Sequence, residues 1–310
     1  MPKSFIILGQ RMFKRILIAL DGSDTAESIV PTVISIAQLF GSWVTLCSVI
    51  PHDKSSFNIS KSRFIEKIEL ESKQALTEYL HKLQSRLESK SINTDIIIKT
   101  GNPPHEIIEL AENQDYDLIA LATKGRSGIM RWMLGSVADH IIGSATTPIL
   151  LISPTEDIEY SIDKPHKLNS IIIPLDGSKL AESVLPIAES IAIKASAVIN
   201  LVQVIPTIVQ VYLGSEHQAY PMDILADLEE SGHKYLSKIE RFLQLKGLNV
   251  HSKLIEGEAS SSINNYCSTL DQSIITMTTR GYTGFSRWVL GSVADKIIRH
   301  VGEPVLLIKR

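Results

Sequence analysis

The chain has 310 residues, 44% hydrophobic and 21% charged, with a formal net charge of −3 and a pI of about 6.3. That length predicts two domains, each able to bury its own core, and the balance of charge excludes the strongly basic face that nucleic acid requires. No apolar run reaches the ~18 residues of a membrane span, so neither nucleic acid nor membrane is an expected partner. Phe5-Ile6-Ile7-Leu8 is shorter than the apolar core of about 7–15 residues in a secretory signal. The two cysteines, Cys47 and Cys267, form no Cys-x-x-Cys pair and lie in apolar segments, as small core residues of a reducing, cytoplasmic compartment would.

Residues 1–11 have no partner later in the chain and read as an N-terminal extension. Ile16-Leu17-Ile18-Ala19-Leu20 is apolar at every position, which fits a strand buried on both faces. Asp21-Gly22-Ser23 ends it. Asp24 and Glu27 have the spacing of a capping box, predicting a helix to about residue 40 that Pro31 either kinks or delays. Residues 43–50 predict a second strand, closed by Pro51. From about 61 to 88 the apolar residues Phe64, Ile68, Leu76, Tyr79, Leu80, Leu83 and Leu87 recur at helical spacing, an amphipathic helix lying on a sheet. A partner-binding helix is the alternative reading of that stretch.

A third strand is predicted at 95–99, a short helix from Pro104 to about 113, and a fourth strand at 118–122. That strand runs into Gly125-Arg126-Ser127-Gly128, then Gly135-Ser136 opens a helix to about 142. Residues 148–152 form a fifth strand. Strands alternating with helices predict a doubly wound parallel sheet, whose ligands sit beyond the carboxyl ends of the strands. Asp21 and the Gly125 loop both fall there. Glycines let the backbone approach a ligand, and N–H groups at a helix start suit an anion. A plain strand-to-helix connection is the alternative account of the loop.

The plan then repeats. From Gly125 to Ser144, 12 of 20 residues are identical to those 156 positions later (125 to 281), so the chain is a duplication. The domains are expected at 12–154 and 169–310, joined by an acidic linker at 155–168. The second carries a longer loop at 207–222, with Tyr212 and Tyr220, which can cover a ligand or be plain surface. Lys124 and Arg280, just before each glycine loop, add charge near an anion or are simply solvated. Arg131-Trp132 and Arg287-Trp288 read as Trp packed on the sheet edge with Arg exposed.

From residue 12 to 310 the chain resembles a tandem universal stress protein, with two Rossmann-like domains of the adenine nucleotide alpha hydrolase-like kind. The family's nucleotide-binding motif is Gly-2x-Gly-9x-Gly-Ser/Thr, with an Asp at the end of the first strand. Gly125, Gly135 and Ser136 match it in the first domain, and Gly281, Gly291 and Ser292 in the second. Ala122 and Thr278 stand where the motif has its first Gly, so each adds a Cβ there. The resemblance implies that these loops wrap the phosphates of ATP, with magnesium, and that Asp21 and Asp176 lie near the adenosine. It also implies that the backbone at Val44 and Ile199 reads the adenine. Gly128 and Gly284 recur in the family's bacterial tandem members. For Asp21, a turn-forming role before Gly22 is the alternative.

There is no His-x-x-His, no Ser-Gly-Gly-x-Asp-Ser and no Walker Gly-x-x-x-x-Gly-Lys-Ser/Thr, nor any defensible catalytic or metal-ligand spacing. The expected function is therefore an ATP-binding stress-response regulator without efficient catalysis. A nucleotide-free interaction scaffold is the alternative, motivated by Ala122 and Thr278, and a slow ATPase is third. The resemblance further implies that the two domains pair within the chain through their last strands, and a homodimer is compatible with that.

Overall fold

The computed structural model describes residues 12–51, 63–124, 134–155, 160–207, 221–279 and 290–309. They fall into two compact units divided between His166 and Lys167. In the first, β1 (Arg15–Ala19), β2 (Trp43–Pro51), β3 (Thr94–Gly101), β4 (Leu118–Ala122) and β5 (Ile149–Ile152) form a parallel sheet in the order β3-β2-β1-β4-β5. In the second, β6 (Ser170–Pro174), β7 (Val198–Ile205), β8 (Val250–Glu256), β9 (Ser273–Thr278) and β10 (Val305–Ile308) repeat it as β8-β7-β6-β9-β10.

The apolar runs behave as expected of strands covered on both faces. Ile16, Leu17 and Ile18 in β1 and Ile171, Ile172 and Ile173 in β6 are all at 0% exposure, each such side chain contributing about 1.5–3 kcal/mol by leaving water. Cys47 and Cys267 are both buried free thiols, and burial pushes each up to about 12.

The expected helix at 24–40 is two helices, α1 (Asp24–Glu27) and α2 (Val30–Phe40). Pro31 sits in the first turn of α2, where its missing N–H leaves no bond unmade. The cap is also one residue earlier than the sequence pattern predicts. Ser23, not Asp24, has the extended cap backbone, and its hydroxyl oxygen accepts from the Ala26 N–H at 3.1 Å. Asp24 and Glu27 instead place acidic groups in the first turn. Ser178 caps α6 (Lys179–Glu182) in the same way, accepting from the Ala181 N–H at 3.1 Å, before α7 (Leu185–Ala195).

The long helix α3 (Arg63–Glu88) lays Leu80, Leu83 and Leu87 against the sheet, all buried, and α8 (Pro221–Gln244) does the same with Leu236, Ile239 and Leu243. The remaining helices are α4 (Pro103–Asn113), α5 (Ser136–Ser144), α9 (Ala259–Cys267) and α10 (Ser292–His300). The stretch expected as a linker is not all loose. Ile162 is buried, and the His166 N–H donates to the Pro31 carbonyl at 3.3 Å.

Glu303, just before β10, is a carboxyl whose burial pushes it up to about 7, partly offset by hydrogen bonding from Ser273. A raised carboxyl favours the fold while protonated, so its contribution is full below about 4.5 and is lost as pH rises toward 7. Denaturant melts of the wild type and Glu303→Gln should therefore differ in slope with pH. The variant is expected to lose that part of the stability decline between pH 4.5 and 7.

Candidate functional site

The winding of each sheet reverses beside its first strand. From β1 the chain goes to β2 on one side and later returns to β4 on the other, so a crevice opens between the carboxyl ends of β1 and β4. A cavity of about 400 Å³ lies there, within the usual range of roughly 300–1,000 Å³ for a small-molecule pocket. Its walls are Asp21 after β1, Ser48, Val49 and Ile50 in β2, Leu76 on α3, Pro103 and Ile107 on α4, Ala122 at the end of β4, and Thr123 and Lys124 after it. Gly135, Ser136, Val137 and Ala138 at the start of α5 complete it.

Asp21 reaches the cavity through a local turn. Its Oδ1 accepts from the Ser23 N–H at 3.0 Å and from the Ser23 hydroxyl at 2.6 Å, and Gly22 takes φ +81°, which a glycine adopts without strain. Asp176 repeats the turn, accepting from the Ser178 N–H at 3.0 Å, with Gly177 at φ +83°. The turn-forming role is thus present, and the same turn carries each aspartate into the wall of its cavity.

The opposite wall depends on one backbone bond. The Gly135 N–H donates to the Thr123 carbonyl at 2.8 Å, which seats the start of α5 over the end of β4. A Cβ on residue 135 would stand 3.0 Å from that carbonyl oxygen, a tight contact, so glycine is favoured by close approach; its φ of −63° any residue can adopt. Gly291 and Thr279 make the same bond at 2.9 Å. Neither α5 nor α10 has a side-chain cap bond. Their first N–H groups therefore face the cavities with the positive end of the helix dipole behind them, the arrangement that favours an anion.

Thr123 adds a polar group that pattern reading passed over. It is 2% exposed, lines the cavity, and its Oγ1 has no hydrogen-bond partner among the described residues. A buried hydroxyl in that condition costs about 1–3 kcal/mol. Only the folded arrangement exposes this cost, because nothing in Ala122-Thr123-Lys124 as a sequence distinguishes it. Tyr79 was legible only as an apolar-face residue of α3. Its hydroxyl is buried, with Glu27, Asp21 and Asp24 the carboxylates that act on it, and burial first, then Glu27, pushes it well above the usual phenol range. Tyr235 stands in the same relation to Glu182 and Asp176.

The second cavity, about 240 Å³, is walled by Asp176, Val202, Val204, Ala259, Ile263, Met277, Thr278 and the start of α10 at Gly291 and Ser292. Of the residues the resemblance implied, Asp21, Ala122, Gly135 and Ser136 therefore meet at one cavity, and Asp176, Thr278, Gly291 and Ser292 at the other. Val44 and Ile199 do not. Val44 pairs with Ile16 near the amino ends of β1 and β2, and Ile199 with Ile171 likewise. The cavity begins at Cys47, three residues further along β2 and so about 10 Å away. Val49, Ile50 and, in the second unit, Val204 occupy the wall instead, as the rule that ligands gather at carboxyl ends would have indicated. Gly125, Gly128, Gly281 and Gly284 lie outside the described residues, as do Arg280, Trp132, Trp288, Tyr212 and Tyr220.

A duplicated doubly wound α/β unit, with its cavity at the switch point and a glycine-led helix start at the rim, defines the class. A model of the universal stress protein family matches residues 12–153 and again 167–309, so the chain belongs to that family and carries its domain twice. A universal stress protein of Methanocaldococcus jannaschii is 33% identical over 150 residues, 48% of this chain and 87% of that protein. One from Bacillus subtilis is 25% identical over 147 residues, covering 46% of this chain and 99% of its own length. A universal stress protein structure from Archaeoglobus fulgidus shares the fold at a TM-score of 0.70 and 21% identity, over 96% of this chain and 97% of that one.

The close approach at residue 135 is testable apart from any ligand. Gly135→Ala is expected to lower stability by about 1–3 kcal/mol, as overpacking does. Ser136→Asp, at an exposed first-turn position, should leave it unchanged or raise it by about 0.3–1 kcal/mol through the helix dipole. Urea denaturation of the two variants measures both.

Proposed function

We propose that this universal stress protein binds ATP and acts as a stress-response regulator without efficient catalysis. One observation carries the reading. An uncapped helix start and the hydroxyl of buried Thr123, which has no partner among the described residues, line the same cavity at the switch point. Together they supply hydrogen-bond donors with no protein acceptor among the described residues, and an acceptor is what a phosphate group provides. Lys124 lies in the same wall. The apolar side, with Val49, Ile50, Leu76 and Ile107, suits a base better than a second charged group.

Magnesium, in this reading, travels with the nucleotide. Among the described residues the group with metal-ligating spacing is His105, Glu106 and Glu109 on α4, and none of these lines the cavity. The ion would take its oxygen ligands from the phosphates and water. The absence of a catalytic role rests on the chain's motifs: among the described cavity residues the acid is Asp21, tied into its turn, and Cys47 is a thiol pushed up to about 12 and so protonated near neutral pH.

Pairing of the two units through their last strands belongs to the same reading, since an apolar edge strand left open is an aggregation hazard. Two free buried thiols fit a reducing, cytoplasmic setting. Among the described residues no helix is long and apolar enough to cross a membrane.

Calorimetric titration of the full chain with magnesium and ATP tests the proposal, with Thr123→Val as the informative variant. Valine keeps the shape and removes the partnerless hydroxyl, so the melting temperature should hold or rise. Affinity for ATP should fall about tenfold, the loss of one hydrogen bond to a charged group. Wild-type protein that takes up no heat-detectable ATP at millimolar concentration would leave the duplicated fold as an interaction scaffold. Steady phosphate release from bound ATP would instead favour the slow ATPase.

A further inference from the structure

The duplication makes each unit a control for the other, and four of the differences between corresponding positions at or beside the two cavities bear on ligand fit. Ala122 becomes Thr278, which adds a hydroxyl and a methyl group to the wall; both residues are buried. Leu76 on the long helix becomes Gly232. A Cβ on Gly232 would come within 2.8 Å of Leu254 Cδ1, so the Leu254 side chain from β8 occupies the space beside α8 there, and no α8 residue lines the second cavity among those described. The two cavities measure about 400 and 240 Å³, the second below the usual range of roughly 300–1,000 Å³ for a ligand pocket.

The remaining two changes are electrostatic. Asn102, a neutral amide, caps α4 in the first unit by accepting from the His105 N–H at 3.3 Å. Its counterpart Glu258 caps α9 by accepting from the Ser261 N–H at 2.8 Å, and also accepts from the Ser260 hydroxyl at 2.7 Å. These bonds, Ser260 first, hold the Glu258 carboxyl well below the usual carboxylate range, so it is charged at neutral pH. His140 in α5 becomes Lys296 in α10, and the Lys296 ammonium lies 3.0 Å from Glu258. As an exposed ion pair it adds little stability. Its effect is positional: it ties α9 to α10, whose starts, at Ala259 and at Ser292, both wall the second cavity. A carboxylate thus stands next to the wall residue Ala259, where the first unit has an uncharged amide next to Pro103, and the nearby lysine is already engaged by it.

We infer that the two repeats are not equivalent: the first-unit cavity takes the nucleoside triphosphate, and the second-unit cavity excludes it. This rests on the nucleotide reading of the first site. Thr278 removes room for the ligand in the smaller cavity, and the charged Glu258, next to the wall residue Ala259, sets a negative charge near where its phosphates would lie. The second repeat keeps the helix start, the Asp176 turn and the Gly291–Thr279 bond as architecture.

Binding stoichiometry of the full chain with magnesium and ATP, by equilibrium dialysis, decides the matter. One equivalent per chain is expected. Ser136→Asp, which sets a carboxylate at the first-unit helix start without disturbing the fold, should weaken binding at least tenfold, and Ser292→Asp should change it less than twofold. Thr278→Ala combined with Glu258→Asn should add a second equivalent; a folded variant that stays at one overturns these two residues as the cause. Two equivalents in the wild type, or loss of binding with Ser292→Asp, would overturn the inequivalence while leaving the nucleotide reading intact. No binding by the wild type overturns that reading itself.

Discussion

Each site hangs on a single backbone contact, the N–H of a glycine donating to the carbonyl of the residue that follows the fourth strand of its unit. In the first unit it is Gly135 to Thr123 at 2.8 Å, in the second Gly291 to Thr279 at 2.9 Å. The bond fixes where the next helix begins, and so where its unpaired N–H groups and dipole point. A Cβ at Gly135 would press on that carbonyl oxygen at 3.0 Å. The glycine at residue 135 is therefore favoured by packing first, and the anion-facing geometry follows from the helix start it seats.

The topology does the complementary work. Because β1 and β4 are neighbours whose connections leave in opposite directions, their carboxyl ends cannot be covered by a crossover helix. The Asp21 turn fills one lip of that gap and the α5 start the other. Tyr79, brought over from α3, buries its hydroxyl beside Glu27 and so links the long helix to the turn. None of these pieces is unusual alone. A site appears because a parallel sheet must leave a gap at its switch point.

Duplication separates what the fold needs from what the ligand needs. The Asx turns at Asp21 and Asp176, the serine caps, the two glycine-to-carbonyl bonds and the Tyr79 and Tyr235 placements are kept in both units. What differs lies on or beside the cavity walls: Ala122 and Thr278 on them, Leu76 on the first with Gly232 in its place on α8, and Asn102 and Glu258 next to the wall residues Pro103 and Ala259. The division is what one expects if architecture constrains both repeats and ligand contact constrains them unequally.

Much was legible without coordinates. Unbroken apolar runs marked buried strands, the 156-residue offset marked the duplication, and the strand–helix alternation placed Asp21 at a carboxyl end and Gly135-Ser136 at a helix start. Those are local or periodic signals, and period survives in a sequence. Capping was half legible: Asp24 and Glu27 have the right spacing, yet Asp21 and Gly22 complete the turn at Ser23 and move the cap one residue. Register was not legible from a family likeness, so Val44 and Ile199 fell at the wrong ends of their strands. The orphaned hydroxyl of Thr123, the Glu258–Lys296 pair and the shrinking of the second cavity belong to tertiary structure alone. Each depends on groups brought together from distant parts of the chain, and whether a polar atom finds a partner is a property of what surrounds it, which the order of residues does not state.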